Sequence, residues 1–145
     1  MKIALASDHG GFELKEDIKK NLLSKDYEIL DLGTTNGSDS VDYPNYGRIC
    51  GEAVMAGIAE KGIVFCGTGI GVSIAANKVK GIRCALCTSV FMAEMASCHN
   101  DANVLALGGR TTELETALEI VKTWLNTKFE GGRHQRRVDL LNQMR

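Results

Sequence analysis

The sequence predicts a single-domain α/β fold, a doubly wound Rossmann-like sheet of five parallel strands with helices on both faces. Three observations point there. Five short apolar runs of strand length recur along the chain, and each precedes a segment with helical apolar spacing. The runs are nearly continuous in apolar residues rather than alternating, which suits strands covered on both faces. Polar or glycine-rich turns separate each run from its helix, with no repeat, low-complexity tract or linker between them.

Lys2–Ser7 is the first expected strand, and Asp8-His9-Gly10-Gly11 is a turn. Leu14, Ile18 and Leu22 stand one helical turn apart and mark a helix from Phe12 to Ser24. Tyr27–Leu32 is the second strand, followed by a polar loop over Thr34–Ser40. Pro44, the one proline, suits the first turn of the next helix, with Tyr46, Ile49, Ala53, Val54 and Ile58 expected inward. Ile63–Cys66 is the third strand and Ile70–Val79 its helix. Ile82–Cys87 is the fourth, before a helix through Phe91, Met92, Met95 and Ala96. Asn103–Leu107 is the fifth, bounded by Gly108 and Gly109. Thr112-Glu113-Leu114-Glu115 has capping-box spacing and opens a helix carrying Leu118, Val121 and Leu125. A short last helix is expected over Val138–Met144.

Composition narrows the function classes. With 145 residues, 44% hydrophobic and 24% charged, the chain has the size and make-up of one soluble domain. A net charge of −1 supplies no general attraction for nucleic acid or a membrane surface. No apolar run approaches the ~20 residues of a membrane span. The chain enters its first strand without a signal-peptide pattern, so a cytoplasmic location is expected. Five cysteines in such a chain are expected to be reduced. Cys84 and Cys87 have redox-motif spacing, but on a strand they point to opposite faces. Cys50 and Cys98 fall in helical patterns and read as small apolar fillers.

The chemistry concentrates in Cys66-Gly67-Thr68-Gly69-Ile70-Gly71, where a strand ends in a thiol and three alternating glycines lead into a helix. Glycine permits φ > 0, so backbone N–H groups can converge on an anion at the helix N-terminus. The same field stabilises S⁻, placing a base or nucleophile beside an oxyanion cradle. A buried cysteine before an ordinary turn is the plain alternative. The glycines lack G-x-G-x-x-G spacing and follow the third strand, and no G-x-x-x-x-G-K-[ST] occurs, so a nucleotide site is disfavoured.

Ligands of such sheets bind at the carboxyl ends of the strands. Asp8-His9, Cys66-Gly67 and Gly109-Arg110 end strands one, three and five and should converge there. Gly131–Arg137 is a compact basic segment, and on a helix Arg133 and Arg137 share a face that suits phosphate oxygens. Each hydrogen bond to a charged group contributes about 1.5–3 kcal/mol, enough in small number to hold a metabolite. Of the three histidines, His9 fits the ligand edge. His99 precedes the fifth strand and so belongs to the opposite edge, where it either caps a helix or reaches a second subunit's site. The histidines lie far apart in sequence without ligand spacing, so no metal site is expected.

Ser7–Gly11, Asp42-Tyr43-Pro44, Cys66–Gly71, Ala75–Lys78, Gly81-Ile82-Arg83, His99–Asn103 and Gly131–His134, in that order, resemble the ribose-5-phosphate isomerase type B family. That family is shared with the galactose-6-phosphate isomerase subunits, and the resemblance spans residues 2–137. Some members use a glutamate further along the glycine loop as base; this chain is of the cysteine type. The resemblance implies a cofactor-free aldose–ketose isomerase of pentose phosphate metabolism, interconverting D-ribose 5-phosphate and D-ribulose 5-phosphate through a cis-enediolate. It makes Cys66 the base, with Gly67, Gly69, Ile70 and Gly71 amides and the Thr68 hydroxyl holding the oxyanion. His99, with Asp8, opens the sugar ring, and His9, Arg110, Arg133 and Arg137 hold phosphate. Asn100 contacts sugar hydroxyls and Tyr43 lines the pocket. The resemblance implies a homodimer, extendable to a tetramer, with His99, Asn100 and Arg110 delivered by the partner. The segment from about residue 128 then completes the site of this one domain, residues 1–145. A six-carbon substrate (galactose 6-phosphate or allose 6-phosphate) and a non-catalytic sugar-phosphate sensor are the alternative functions.

Overall fold

Parallel strands need a crossover between them, and this chain supplies a helix after every strand. The strands Lys2–Ser7 (β1), Glu28–Asp31 (β2), Lys61–Cys66 (β3), Cys84–Leu86 (β4) and Val104–Gly108 (β5) form one sheet, all parallel, in the order β2-β1-β3-β5-β4. The helices are Phe12–Ser24 (α1), Tyr43–Met55 (α2), Ile70–Asn77 (α3), Val90–Cys98 (α4), Leu114–Asn126 (α5) and Arg133–Gln143 (α6). The computed structural model describes residues 1–144. No helix among them is long and apolar enough to cross a membrane.

The two faces of the sheet are built from different side chains. Ile3, Leu5, Ile63, Phe65, Leu105 and Leu107 project into a layer closed by α1, α4 and α5, where Ile18, Ile120 and Trp124 are fully buried. Their neighbours in sequence, Ala4, Ala6, Val64, Cys66 and Ala106, face α2 and α3. That second layer is thin, and it lets backbones approach closely. A Cβ on Gly47 of α2 would stand 2.7 Å from Ala75 Cβ of α3. Cys87 joins the first layer and Cys84 packs on the second, so the two thiols face apart as the strand period requires.

Several local expectations shift. The buried face of α2 is Gly47, Cys50, Gly51 and Ala53, while Ile58 lies beyond the helix, 55% exposed. Small residues define the contact, so apolar size misled the periodicity. Strand β4 has three residues because the N–H groups of Arg83 and Cys84 go to the side-chain amides of Asn103 (2.7 Å) and Asn77 (2.8 Å). The capping box at Thr112 does not form; α5 begins at Leu114 with Glu113 at its N-cap and no side-chain cap. Helix α6 starts at Arg133, five residues before the expected Val138, and so takes in the basic segment.

One charged cluster lies inside the fold. Lys15 of α1 is 1% exposed, and its Nζ donates to Asp31 Oδ1 at 2.9 Å and Oδ2 at 2.7 Å. Lys19 Nζ and the Gly33 N–H also donate to that carboxylate, tying β2 and its exit loop to α1. Burial pushes the Asp31 carboxyl up, yet the hydrogen bonds from Lys15, Lys19 and Gly33 together hold it below its ordinary value of 3.8. The stabilisation is therefore complete above pH 3.8 and is lost as pH falls through the lower folded value. Asp31→Asn leaves the buried Lys15 ammonium with Glu16 Oε2 at 3.0 Å as its one carboxylate partner and should cost about 1.5–3 kcal/mol, the worth of a hydrogen bond to a charged group. Urea unfolding at neutral pH should show the unfolding free energy lowered by that amount, with the midpoint moved to lower urea, and the gap to wild type should narrow in acid.

Candidate active site

Because β1, β3 and β5 are adjacent and parallel, the loops leaving them meet on one edge. The Asp8 N–H donates to Phe65 O (3.3 Å), Gly109 N–H to Cys66 O (2.8 Å) and Arg110 N–H to Gly67 O (2.9 Å). These bonds fasten the three loops to each other.

Cys66 ends β3 on the α2/α3 face and is 6% exposed. Its Sγ accepts the Gly69 N–H at 3.2 Å. Gly69 is in the left-handed region (φ +80°), and a Cβ there would stand 2.7 Å from Leu86 Cδ1. That backbone turns the amide toward the sulfur. Thr68 Oγ1 accepts the Ile70 N–H at 3.2 Å, which leaves its hydroxyl hydrogen free to donate outward. The Gly69 and Ile70 N–H groups, which the resemblance assigned to an oxyanion, are thus engaged within the loop by the Cys66 sulfur and the Thr68 hydroxyl. Gly71, in the first turn of α3, has no intrahelical acceptor, and the Tyr43 ring lies over it. Burial pushes the thiols of Cys50 to about 12 and Cys87 to about 11, and raises Cys84 as well, so those three are inert.

The same edge carries a cleft to which His9 and Arg110 contribute nitrogen donors and Glu13 a carboxylate. His9 Nδ1 accepts the Val41 N–H at 3.1 Å, which puts the imidazole proton on Nε2. Arg110 lies over Gly67, where a Cβ would come within 2.9 Å of its Nη1. Together with Gly10, Gly37, Ser38 and Gly109 they line a cleft of about 360 Å³. Asp8 is buried, and its Oδ1 accepts the Gly11 N–H at 3.1 Å, which fixes the turn. The resemblance assigned Arg110 to a partner subunit; the structure puts it against its own chain's Gly10 and Gly67, because it directly follows β5.

The remaining candidates occupy the opposite edge. His99 caps the C-terminus of α4, with its N–H donating to Met95 O at 2.9 Å, and Asn100 follows it. The His99 ring stacks on His134 of α6 with centroids 4.1 Å apart and planes 13° from parallel. At the other end of α6, Asn142 accepts from Arg83 Nη1 at 2.8 Å. Arg133 and Arg137 therefore sit with His99 and away from Cys66 of the same chain. Burial lowers the His134 imidazole below its ordinary value, with His99 and Arg133 adding to the effect. Cys98 is no apolar filler: its thiol donates to Glu130 Oε2 at 3.1 Å. This bond holds the Glu130 carboxyl low and pushes the thiol up.

Sequence reasoning missed Glu130 and the meeting of His99 with His134, 35 positions apart. The early start of α6 was the hidden signal, because the pattern Arg133–Arg137 has no apolar repeat.

The profile of the family described as Ribose/Galactose Isomerase matches residues 3–141. Ribose-5-phosphate isomerase B of Escherichia coli is 46% identical over 140 residues, 97% of this chain and 93% of that one. The structure of Clostridium thermocellum ribose-5-phosphate isomerase B superposes with a TM-score of 0.97 at 53% identity, covering 99% of this chain and 96% of that one. The Mycoplasma genitalium enzyme, solved with bound ribulose-5-phosphate, gives 0.93 at 40% identity, covering 98% and 94%. With the fold, the thiol loop and the His9–Arg110 cleft in the same chain, these likenesses lead to one assignment: the chain belongs to the ribose/galactose isomerase family.

Proposed function

We propose that this chain interconverts D-ribose 5-phosphate and D-ribulose 5-phosphate, with Cys66 as the proton-transferring base. One observation carries the reading: the loop whose thiol accepts a backbone N–H is bonded, through Cys66 O and Gly67 O, to the loop that brings Arg110 to a cleft shared with His9. The ribulose-5-phosphate held by the Mycoplasma genitalium relative supports the substrate class.

The chemistry follows from the groups. In the open-chain aldehyde the C2 hydrogen is acidified by the neighbouring carbonyl. The Cys66 thiolate takes it, the C–H electrons form a C1–C2 double bond, and charge develops on the C1 oxygen. The Gly71 N–H, which has no intrahelical acceptor, and the Thr68 hydroxyl hold that oxyanion; one such donor is commonly worth about 10²–10³-fold. The thiol then returns the proton to C1, and the hydroxyl proton on the C2 oxygen passes to the C1 oxygen, leaving the ketose. His9 Nε2–H and the Arg110 guanidinium bind phosphate, and Tyr43 bounds the pocket over Gly71.

Ring opening needs an acid–base group that the same chain does not bring to Cys66. We assign it to His99 of a second copy, paired with Asp8 of the first, with that copy's Asn100 on the sugar hydroxyls and its Arg133 and Arg137 on the phosphate. The active unit is then a symmetric homodimer with two shared sites, completed by the segment after about residue 128.

Cys66→Ala should lower turnover by about 10²–10⁴-fold. NMR in deuterated water checks it: C2 hydrogen exchange at near the wild-type rate removes the thiol from the mechanism. A mixed preparation of Cys66→Ala and His99→Asn chains rebuilds one intact site per heterodimer. Random pairing at equal amounts should restore about a quarter of wild-type activity. No recovery despite proven subunit exchange rejects shared sites. Turnover of ribose 5-phosphate should exceed that of galactose 6-phosphate or allose 6-phosphate in the same assay, and the reverse order would overturn the pentose assignment.

A further inference from the structure

Beside the stacked histidines lies a group of side chains that the isomerase chemistry leaves unexplained. Cys98 Sγ, His99 Nε2 and a Glu130 carboxylate oxygen all lie within 4.8 Å of one another. The sulfur is 3.1 Å and the imidazole nitrogen 3.9 Å from Glu130 Oε2. Zinc bonds of about 2.0–2.3 Å in tetrahedral array put ligand atoms about 3.3–3.8 Å apart, so closing this triad needs side-chain shifts of order 1 Å. A second observation points the same way. His134 Nε2 is buried without a hydrogen-bond partner, and it lies 3.8 Å from the other oxygen of Glu130. A buried imidazole stacked on His99 and directed at the ligating carboxylate is the outer-shell support that metal ligands use.

We propose that Cys98, His99 and Glu130 form a binding site for a borderline-soft divalent cation of the zinc type, with solvent in the fourth position. Thiolate, imidazole and carboxylate together suit zinc or cobalt over magnesium or calcium, which prefer all-oxygen shells. On binding, the S–H bond breaks as the sulfur–metal bond forms, and the proton leaves to solvent. The site takes the His99 ring nitrogen that ring opening would use. If His99 has the role assigned above, bound metal silences the enzyme reversibly.

Cobalt(II) added to the full chain freed of metal by chelation reads the site directly, through thiolate-to-cobalt charge-transfer absorption. One equivalent per chain should bind with that band. Cys66→Ala should retain the band, and Cys98→Ser should lose it. Removing even an outer-shell partner weakens metal sites about 10–100-fold, so both Cys98→Ser and Glu130→Gln should weaken zinc binding by at least that. Zinc should inhibit wild type, chelator should reverse it, and Cys98→Ser should keep its metal-free activity while losing the sensitivity. No band in wild type, or an equal band in Cys98→Ser, overturns the site. Binding without inhibition leaves the site standing and counts against His99 in ring opening.

Discussion

Parallel pairing of β1, β3 and β5 forces the loops that follow these strands onto one edge and the loops that precede them onto the other. Everything chemical in the chain is sorted by that rule. Cys66, His9 and Arg110 follow strands and meet, held by backbone bonds between their loops. His99 and Asn100 precede β5, and α6 docks beside them through the ring stack at one end and Arg83 at the other. One chain thus carries two incomplete halves of the chemistry, a sheet's length apart. In the homodimer proposed above, a two-fold axis joins them by bringing the thiol edge of each copy to the histidine edge of the other.

The two halves are held by different means. The thiol edge is rigid because backbone groups fix it: Gly69 donates to the sulfur, Thr68 receives Ile70, and Asp8 closes the turn before α1. Such donors need no reorganisation when charge develops, which is what oxyanion stabilisation requires. The histidine edge combines a backbone bond, from the Glu130 N–H to Cys98 O at 3.0 Å, with side-chain contacts: the ring stack and Glu130 spanning Cys98 and His134.

Most of the architecture was legible in the sequence because parallel strands buried on both faces announce themselves as apolar runs. Strand β1 and helix α1 fall where the pattern put them, and the thiol, glycine loop and Arg110 converge as strand order requires. What the sequence hid had physical causes. The inner face of α2 is glycine and cysteine, which carry little apolar signal although they make the tightest contact. The start of α6 bears arginines and a histidine, so its helical character rests on docking against the loop after α4. The meeting of His99 with His134 and Glu130 is a tertiary event between distant segments, and no local spacing encodes it. The side of the sheet each residue takes relative to its own sulfur was legible only through topology.

The unequal thickness of the two layers gives the sheet a mutational polarity. Where Ile, Leu, Phe and Trp fill the space beneath α1, α4 and α5, truncation leaves a void and enlargement has some room to be absorbed by neighbouring flexible chains. Where alanines and glycines let α2 and α3 settle almost onto the backbone, truncation removes little, and one added methyl group must lift a whole helix. Alternate residues of the same strand therefore drift under opposite size constraints. Since the Cys66 sulfur belongs to the crowded side, its surroundings tolerate added volume less than the bulky layer across the sheet does.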